Sequence, residues 1–214
     1  AELIPVIKKA GRADRRRPFT KEELRRLFAI LTGEWLSLVV FGLYTGQPLG
    51  DLARLKLSDI DLVANEIRFK TSKTGREQKI PICRPLLEHI KSLPCPISTS
   101  LPVHPAAAAV VERSTRTGTL SVQFHDLMAK AGLVEKRPHR KRHADDQTRR
   151  RRASALSFHS LRHTTTSLLK NAGVSSAIAE EIIGHDSAEM NRHYTHIDGA
   201  PLQAAVDLLP DFRG

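Results

Sequence analysis

Residues 34–45 carry the run WLSLVVFGLY, which is apolar almost all the way round a helix. A helix with no polar face has to be buried, so the rest of the chain must wrap around it. Gly46 follows as a closing residue, and Tyr44, inside the run, reads as a core residue. Upstream, Thr20 with Glu23 three places on has the form of a capping box. Leu24, Leu27, Phe28 and Leu31 then repeat at helical spacing, and Gly33 is expected to end that first helix. Downstream, Pro48 suits the first turn of a short helix, LGDLARL.

From Asp59 the apolar period shortens from about 3.6 to about 2. The segment DIDLVANEIRFKTSKTGREQKIPI predicts an antiparallel meander of three strands, turning at Asn65 and Gly75. Ile80 and Ile82 should face the helices, and Pro81 belongs at a strand end. Helix is expected again over residues 84–93. Residues 94–117 read as a Pro- and Ser-rich loop with a short helical piece at the alanine run. A further helix over 120–131 is stopped by Gly132, and a short amphipathic one covers 201–209. The fold class expected is α+β, mostly helical, with a small three-stranded antiparallel sheet.

The 34 basic residues against 23 acidic ones leave a net charge of +11, which favours a polyanionic partner, nucleic acid first. An anionic membrane surface fits less well, because the cations do not fall on one amphipathic helix. No apolar run approaches the roughly 20 residues of a membrane span, and no signal-peptide pattern is present. Cys83 and Cys95 match no metal or redox spacing and read as free thiols, so a cytoplasmic, nucleoid-associated protein is expected. Two segments concentrate the charge. Residues 1–18 form a basic lead-in, a linker or a phosphate-contacting arm. Residues 135–156 have no apolar period and carry Arg140, Lys141, Arg149, Arg150, Arg151 and Arg152. They are expected to be a disordered loop without ligand that orders on DNA.

Chemistry-bearing residues gather in residues 157–196. His159, Arg162 and His163 stand at i, i+3 and i+4, on one helix face. Gly184-His185 follows a second short apolar pattern, and Tyr194 comes nine residues later, flanked by His193 and His196. A fixed cation, imidazoles and a phenol suit phosphoryl transfer. A charged helix face beside a core tyrosine would use the same residue types, and residue types alone leave both readings open. The His-x-x-x-His at 159 and 163 lacks the Glu of a zinc-protease helix.

Four stretches together resemble the catalytic domain of the tyrosine recombinase (phage integrase) family. TGQPLGDLARL (45–55) is similar to its first box, and TSKTGREQKIPI (71–82) to its β-hairpin lysine segment. FHSLRHT (158–164) resembles its His-x-x-Arg box, and IIGH with NRHYTH (182–185, 191–196) its final His and nucleophile boxes. The resemblance implies that family's helical core over residues 19–214, with the family's N-terminal DNA-clamp domain absent. It also implies a mechanism. Tyr194 attacks the scissile phosphate, giving a 3′-phosphotyrosyl link and a free 5′-hydroxyl. Arg162 binds the non-bridging oxygens, for which a planar, permanently charged fork is suited. His159 assists as general base for the phenol, whose ordinary pKa near 10 leaves it protonated at neutral pH. Lys73 protonates the leaving 5′-oxygen, and His185 donates to the phosphate. No cofactor or metal is implied, since cationic side chains take that place. On the residues alone Lys73 could be an ordinary turn lysine, and His163 a packing histidine.

One position departs from the family pattern T-G-x-R. Here the register reads Thr45, Gly46, Gln47, Pro48, so Pro48 stands where the first phosphate-binding arginine is expected. Proline offers neither a side-chain donor nor a backbone N–H. Arg54, six residues on, lies roughly 240° round the helix and is a poor substitute. The acid of this box, Asp51, is mainly structural in the family. The chain is therefore expected to bind duplex DNA and to cleave it slowly or not at all. A non-catalytic DNA-binding module derived from the same fold is the alternative. A basic RNA-binding or scaffolding domain and a type IB topoisomerase fit less well. The resemblance further implies a homo-oligomer, a tetramer on paired DNA sites, docked through the helix at Pro201–Leu209. Its apolar stripe is Leu202, Ala205, Val206 and Leu209, which could equally pack on its own domain.

Overall fold

A computed structural model describes residues 16–94, 98–114, 116–136, 154–184 and 199–212. Helix α1 spans Lys21–Phe28 and opens on the expected capping box, with Thr20 and Glu23 exchanging hydrogen bonds. Arg17 forks onto the Glu23 carboxylate at 2.7 and 2.6 Å. That contact, with the cap's backbone donor, holds the Glu23 pKa down at about 2. The expected stop at Gly33 is displaced: Ala29 caps α1, and Gly33 instead begins α2, Gly33–Thr45. Ile30 and Leu31 tighten the chain with bonds back to Leu27 and Phe28, so α1 ends before the glycine is reached.

Helix α2 is the buried axis that its composition requires. Every residue from Ser37 to Thr45 is buried, and Gly46 closes the helix in the left-handed conformation at φ 68°. Around it pack α3 (Leu49–Arg54), α4 (Arg84–Ser92) and α7 (His159–Asn171). The α7 approach is close because Gly42 has no side chain. A Cβ there would stand 2.8 Å from the Phe158 ring and 2.9 Å from Leu161. Thr165 completes the joint by donating to the Leu43 carbonyl at 2.5 Å. The chain just before α1 is tied to the same helix through Phe19 N–H, which donates to Thr164 Oγ1 at 2.9 Å.

The meander has strands β1 (Ile60–Asp61), β2 (Glu66–Lys70) and β3 (Glu77–Pro81) in the order β1-β2-β3, all antiparallel. Asn65 and Gly75 take the positive φ that the two turns need. Ile80 and Ile82 are buried, and Pro81 ends its strand. Within residues 94–117 the structure has a full helix, α5 (Pro105–Ser114). Its N-terminal amides Ala106 and Ala107 donate to the Glu34 carboxylate on α2, at 2.9 and 2.6 Å. That remote cap supports a helix that alanine already favours. Helix α6 covers Gly118–Lys130, and Cys83 is buried at the N-cap of α4.

Helices α8 (Ser176–Ile183) and α9 (Gly199–Val206) complete the described fold. The stripe on α9, which could dock on a neighbouring subunit or pack on its own domain, is covered by the chain itself. Leu202, Ala205, Val206 and Leu209 are all under 9% exposed, with α8 and β3 against the helix. Asn65 donates to Gln203 at 2.9 Å, and Gln203 donates to the Ile82 carbonyl at 3.2 Å. Tyr44 is core, as its place in α2 implies, and its hydroxyl donates to the Pro210 carbonyl at 2.9 Å. No helix among the described residues is long and apolar enough to cross a membrane.

The core also holds His104, which is fully buried. Its Nδ1 lies 2.9 Å from the Leu52 carbonyl, which can only accept, so Nδ1 carries the proton. Nε2 then accepts from the Ser37 hydroxyl at 2.9 Å. Burial holds the His104 pKa below its ordinary value. A neutral imidazole in the fold and a freely titrating one in the unfolded chain means stability is intact above the unfolded pKa near 6.5. It is lost as pH falls below that value toward the folded pKa. Urea unfolding between pH 7.5 and 5 should therefore show a fall in stability that shrinks in His104→Gln. An equal pH dependence in both proteins would contradict this assignment.

Candidate functional site

The site forms where the C-terminal end of α8 meets α7, the start of α3 and the β2–β3 hairpin. A helix leaves its last carbonyls without intrahelical donors. In α8 side chains from three other elements supply them. Gln78 on β3 donates through Nε2 to the Glu181 carbonyl at 2.9 Å and the Ile182 carbonyl at 3.3 Å. Gln47, between α2 and α3, donates to the Ile183 carbonyl at 3.1 Å. Arg162 on α7 donates from Nη1 to Ile183 at 2.7 Å and to Gly46 at 3.1 Å, and from Nη2 to Gly184 at 2.6 Å. One guanidinium thus joins the cap of α2 to the cap of α8.

Gly184 is confined from two directions. Its φ is 73°, and a Cβ would meet Gln78 Oε1 at 2.5 Å. That oxygen is buried with no hydrogen-bond partner among the described residues. The amide orientation follows from the other end of the group, where two carbonyls can only accept. Arg76 adds an ion pair to Glu181 at 3.3 Å across the same joint.

His159 is the first residue of α7 and is exposed, with its ring edge-on to His163 at a centroid distance of 4.9 Å. His159, Arg162 and His163 therefore do share the expected face. Lys73 is exposed in the β2–β3 turn, which Asp51 secures from α3. Asp51 Oδ1 accepts from the Ser72 N–H at 2.9 Å and the Ser72 hydroxyl at 2.6 Å. Thr71 and Gly75 close the turn, Thr71 N–H to the Arg76 carbonyl and Gly75 N–H to the Thr71 carbonyl, both at 2.9 Å. Pro48 is exposed at the N-cap of α3 with no side-chain cap, two residues from the carbonyl that Arg162 grips. Arg54 turns back onto its own helix, Nη1 to the Gly50 carbonyl at 2.8 Å. Tyr194, His185, Arg140, Lys141, Arg149, Arg150, Arg151 and Arg152 lie outside the described residues.

Two residues of this joint escaped the reading of the sequence, Gln47 and Gln78. Gln78 did leave a signal, because it shares the inward face of β3 with Ile80 and Ile82, where an apolar residue is the norm. Gln47 left none beyond its place in the first box.

The model of the phage integrase family matches residues 17–200. The chain belongs to the phage integrase family. It is 24% identical over 191 residues to tyrosine recombinase XerA of Pyrococcus furiosus, covering 88% of this chain and 60% of that protein. It is 27% identical over 172 residues to tyrosine recombinase XerC of Proteus mirabilis, covering 79% of this chain and 48% of that protein. The chain thus spans about half to three-fifths of the length of these relatives. Among solved structures it resembles the integrase from mycobacterium phage Brujita, with a TM-score of 0.62 and 18% identity over 91% of this chain and 58% of that one. It also resembles the lambda integrase catalytic core, with a TM-score of 0.54 and 22% identity over 79% of this chain and 96% of that one. At these identities the structural likeness speaks for the fold: an integrase-type helical core with a three-stranded sheet.

Asp51→Ala should free Ser72 and with it the base of the Lys73 turn. Two hydrogen bonds to a buried carboxylate are lost, a destabilisation of about 1.5–3 kcal/mol. Asp51→Asn keeps an acceptor and should lose less. Amide exchange at Ser72, with thermal unfolding, checks both; unaltered Ser72 protection in Asp51→Ala would show that the turn stands without it.

Proposed function

We propose that this chain is the strand-breaking and rejoining part of a DNA site-specific recombinase or integrase, with its chemistry weakened at Pro48. The observation that carries the reading is the Arg162 joint. A permanently charged fork is fixed beside the first box, on the helix face it shares with His159, while Asp51 builds the turn that carries Lys73. In this reading the Tyr194 oxygen bonds to phosphorus, and the bond from phosphorus to the 5′-oxygen breaks. His159 takes the phenol proton and Lys73 gives one to the leaving 5′-oxygen. Arg162 and His185 hold the non-bridging oxygens as charge grows on them. The 5′-hydroxyl of a partner strand later reverses the step, releasing Tyr194.

Duplex DNA as the substrate is supported by the net charge of +11 and by relatives of the same fold. One neighbour is a lambda integrase tetramer bound to a Holliday junction, with a TM-score of 0.50. Another is XerH site-specific recombinase bound to its difH substrate, also at 0.50. We extend to this chain assembly as a homo-tetramer on paired sites. The stripe of α9 would serve a neighbour only after leaving its own chain, where it is buried. The basic residues Arg140, Lys141, Arg149, Arg150, Arg151 and Arg152 would add phosphate contacts that strengthen binding without reading sequence.

Pro48 favours a second reading, a module that holds DNA without cutting it. An absent donor at a transition-state oxyanion lowers a rate by about 10²–10³. Duplexes selected from a random-sequence pool by this chain, then remade with nicks that trap a covalent product, separate the two. Adduct should form slowly, rise about 10²-fold or more in Pro48→Arg, and vanish in Tyr194→Phe with binding retained. Rapid adduct formation by the unaltered chain would refute the impairment. No adduct even with Pro48→Arg would favour the binding module.

A further inference from the structure

Beside the Lys73 turn lies a second concave surface, a cleft of about 170 Å³ between α3, the 3-10 turn Leu57–Asp59 and β2. Three exposed cations line it: Arg54 on α3, Lys56 at the head of the 3-10 turn and Lys70 at the end of β2. Arg54 is held by its bond to the Gly50 carbonyl, and Gly50 leaves the guanidinium room, since a Cβ there would stand 3.3 Å from Nη1. Among the described residues no carboxylate pairs with Arg54 or Lys56. Lys70 and Glu77 lie 3.7 Å apart with side chains 72% and 84% exposed, a pair that solvent makes weak. The two carboxylates of the cleft are engaged with the chain: Asp51 with Ser72, and Asp59 Oδ2 with the Lys56 N–H at 2.8 Å. Three positive charges against two negative ones leave the cleft cationic. Leu55 and Phe69 line it as well, and apolar walls focus the field of such a group onto an incoming anion.

We propose that this cleft is a second phosphate site, in which Arg54, Lys56 and Lys70 hold one backbone phosphate of duplex DNA that flanks the phosphate to be cut. The proposal rests on the reading of the chain as a duplex-DNA recombinase and adds a contact outside the reacting centre. The occupant follows from where the cleft lies. Ser72 is part of its lining, and Lys73 is the next residue. Helix α3 leads from Pro48, two residues after the Gly46 carbonyl that Arg162 grips, to Arg54. Its six residues span about 9 Å at roughly 1.5 Å each. A strand of duplex DNA rises about 3.4 Å per nucleotide, so the cleft lies about two to three nucleotides along. Arg54, too far round α3 to replace an arginine at position 48, is placed for that neighbouring phosphate. Its planar fork can meet two oxygens, and the two lysines add point charges. Such a contact fixes the register of the strand without reading its sequence.

The test measures binding of the whole chain to its selected duplexes carrying single methylphosphonates, each of which removes one backbone charge. The same scan is run on a variant combining Arg54→Gln, Lys56→Gln and Lys70→Gln. At one phosphate, about two to three nucleotides from the one that Pro48→Arg joins to Tyr194, the unaltered chain should lose affinity on the order of tenfold. The variant should lose nothing further at that position and stay sensitive at the others. Its plot of log affinity against log salt should be shallower by about 1. Should loss of the Gly50 bond disturb α3, Lys56→Gln with Lys70→Gln leaves that bond in place and carries the same expectation. The same sensitive phosphates in the variants and the unaltered chain, or an unchanged salt slope, would overturn the proposal. So would an Arg54 Nε–H resonance that responds to inorganic phosphate while duplex binding is indifferent to the substitutions, which would give the cleft to a free anion. Failure of the unaltered chain to bind any duplex would instead overturn the DNA reading beneath it.

Discussion

The end of one short helix organises this domain. Helix α8 finishes with carbonyls that point away from its own amides, and its dipole concentrates negative charge there. The chain answers with one guanidinium and two carboxamides, drawn from α7, β3 and the link between α2 and α3. Each donor comes from a different part of the sequence, so satisfying the helix end also fixes the relative position of those parts. The buried α2 axis supplies the platform. Gly42 lets α7 lie close enough for Arg162 to reach, and the Gly46 cap offers the carbonyl that completes its grip.

The same joint explains why the first box matters even with its arginine position held by Pro48. Thr45, Gly46 and Gln47 work through backbone and amide groups, and Asp51 secures the Lys73 turn through Ser72. These roles are architectural and survive the proline. On the proposed reading Pro48 takes the place of a cation, and Arg54, six residues on, is turned back onto its own helix. On that reading, a frame that does not depend on the missing cation is the reason DNA binding is proposed to outlast cleavage.

Much of this was legible in the sequence because it depends on local chemistry. The α1 cap, the all-apolar α2, the turns at Asn65 and Gly75, and the shared face of His159 and Arg162 are set by residues a few places apart. What could not be read depends on partners far along the chain. Helix α5 is fixed by a carboxylate on α2, some seventy residues away. What covers the α9 stripe was left undecided because the surfaces that do so, on β3 and α8, are not its sequence neighbours. Gln47 and Gln78 read as ordinary polar residues until the α8 carbonyls are placed beside them. The family pattern marked Arg162 as a phosphate ligand, while the folded chain adds a second task, holding two helix ends together.

That second task is the central claim, and amide hydrogen exchange in Arg162→Lys tests it most directly. A lysine keeps the charge but cannot span the Gly46, Ile183 and Gly184 carbonyls at once. The Gly184 amide, bonded to the Glu180 carbonyl at 2.7 Å in the last turn of α8, should lose protection, while amides in α4 and α5 exchange as before. Unchanged protection at Gly184 would contradict the account.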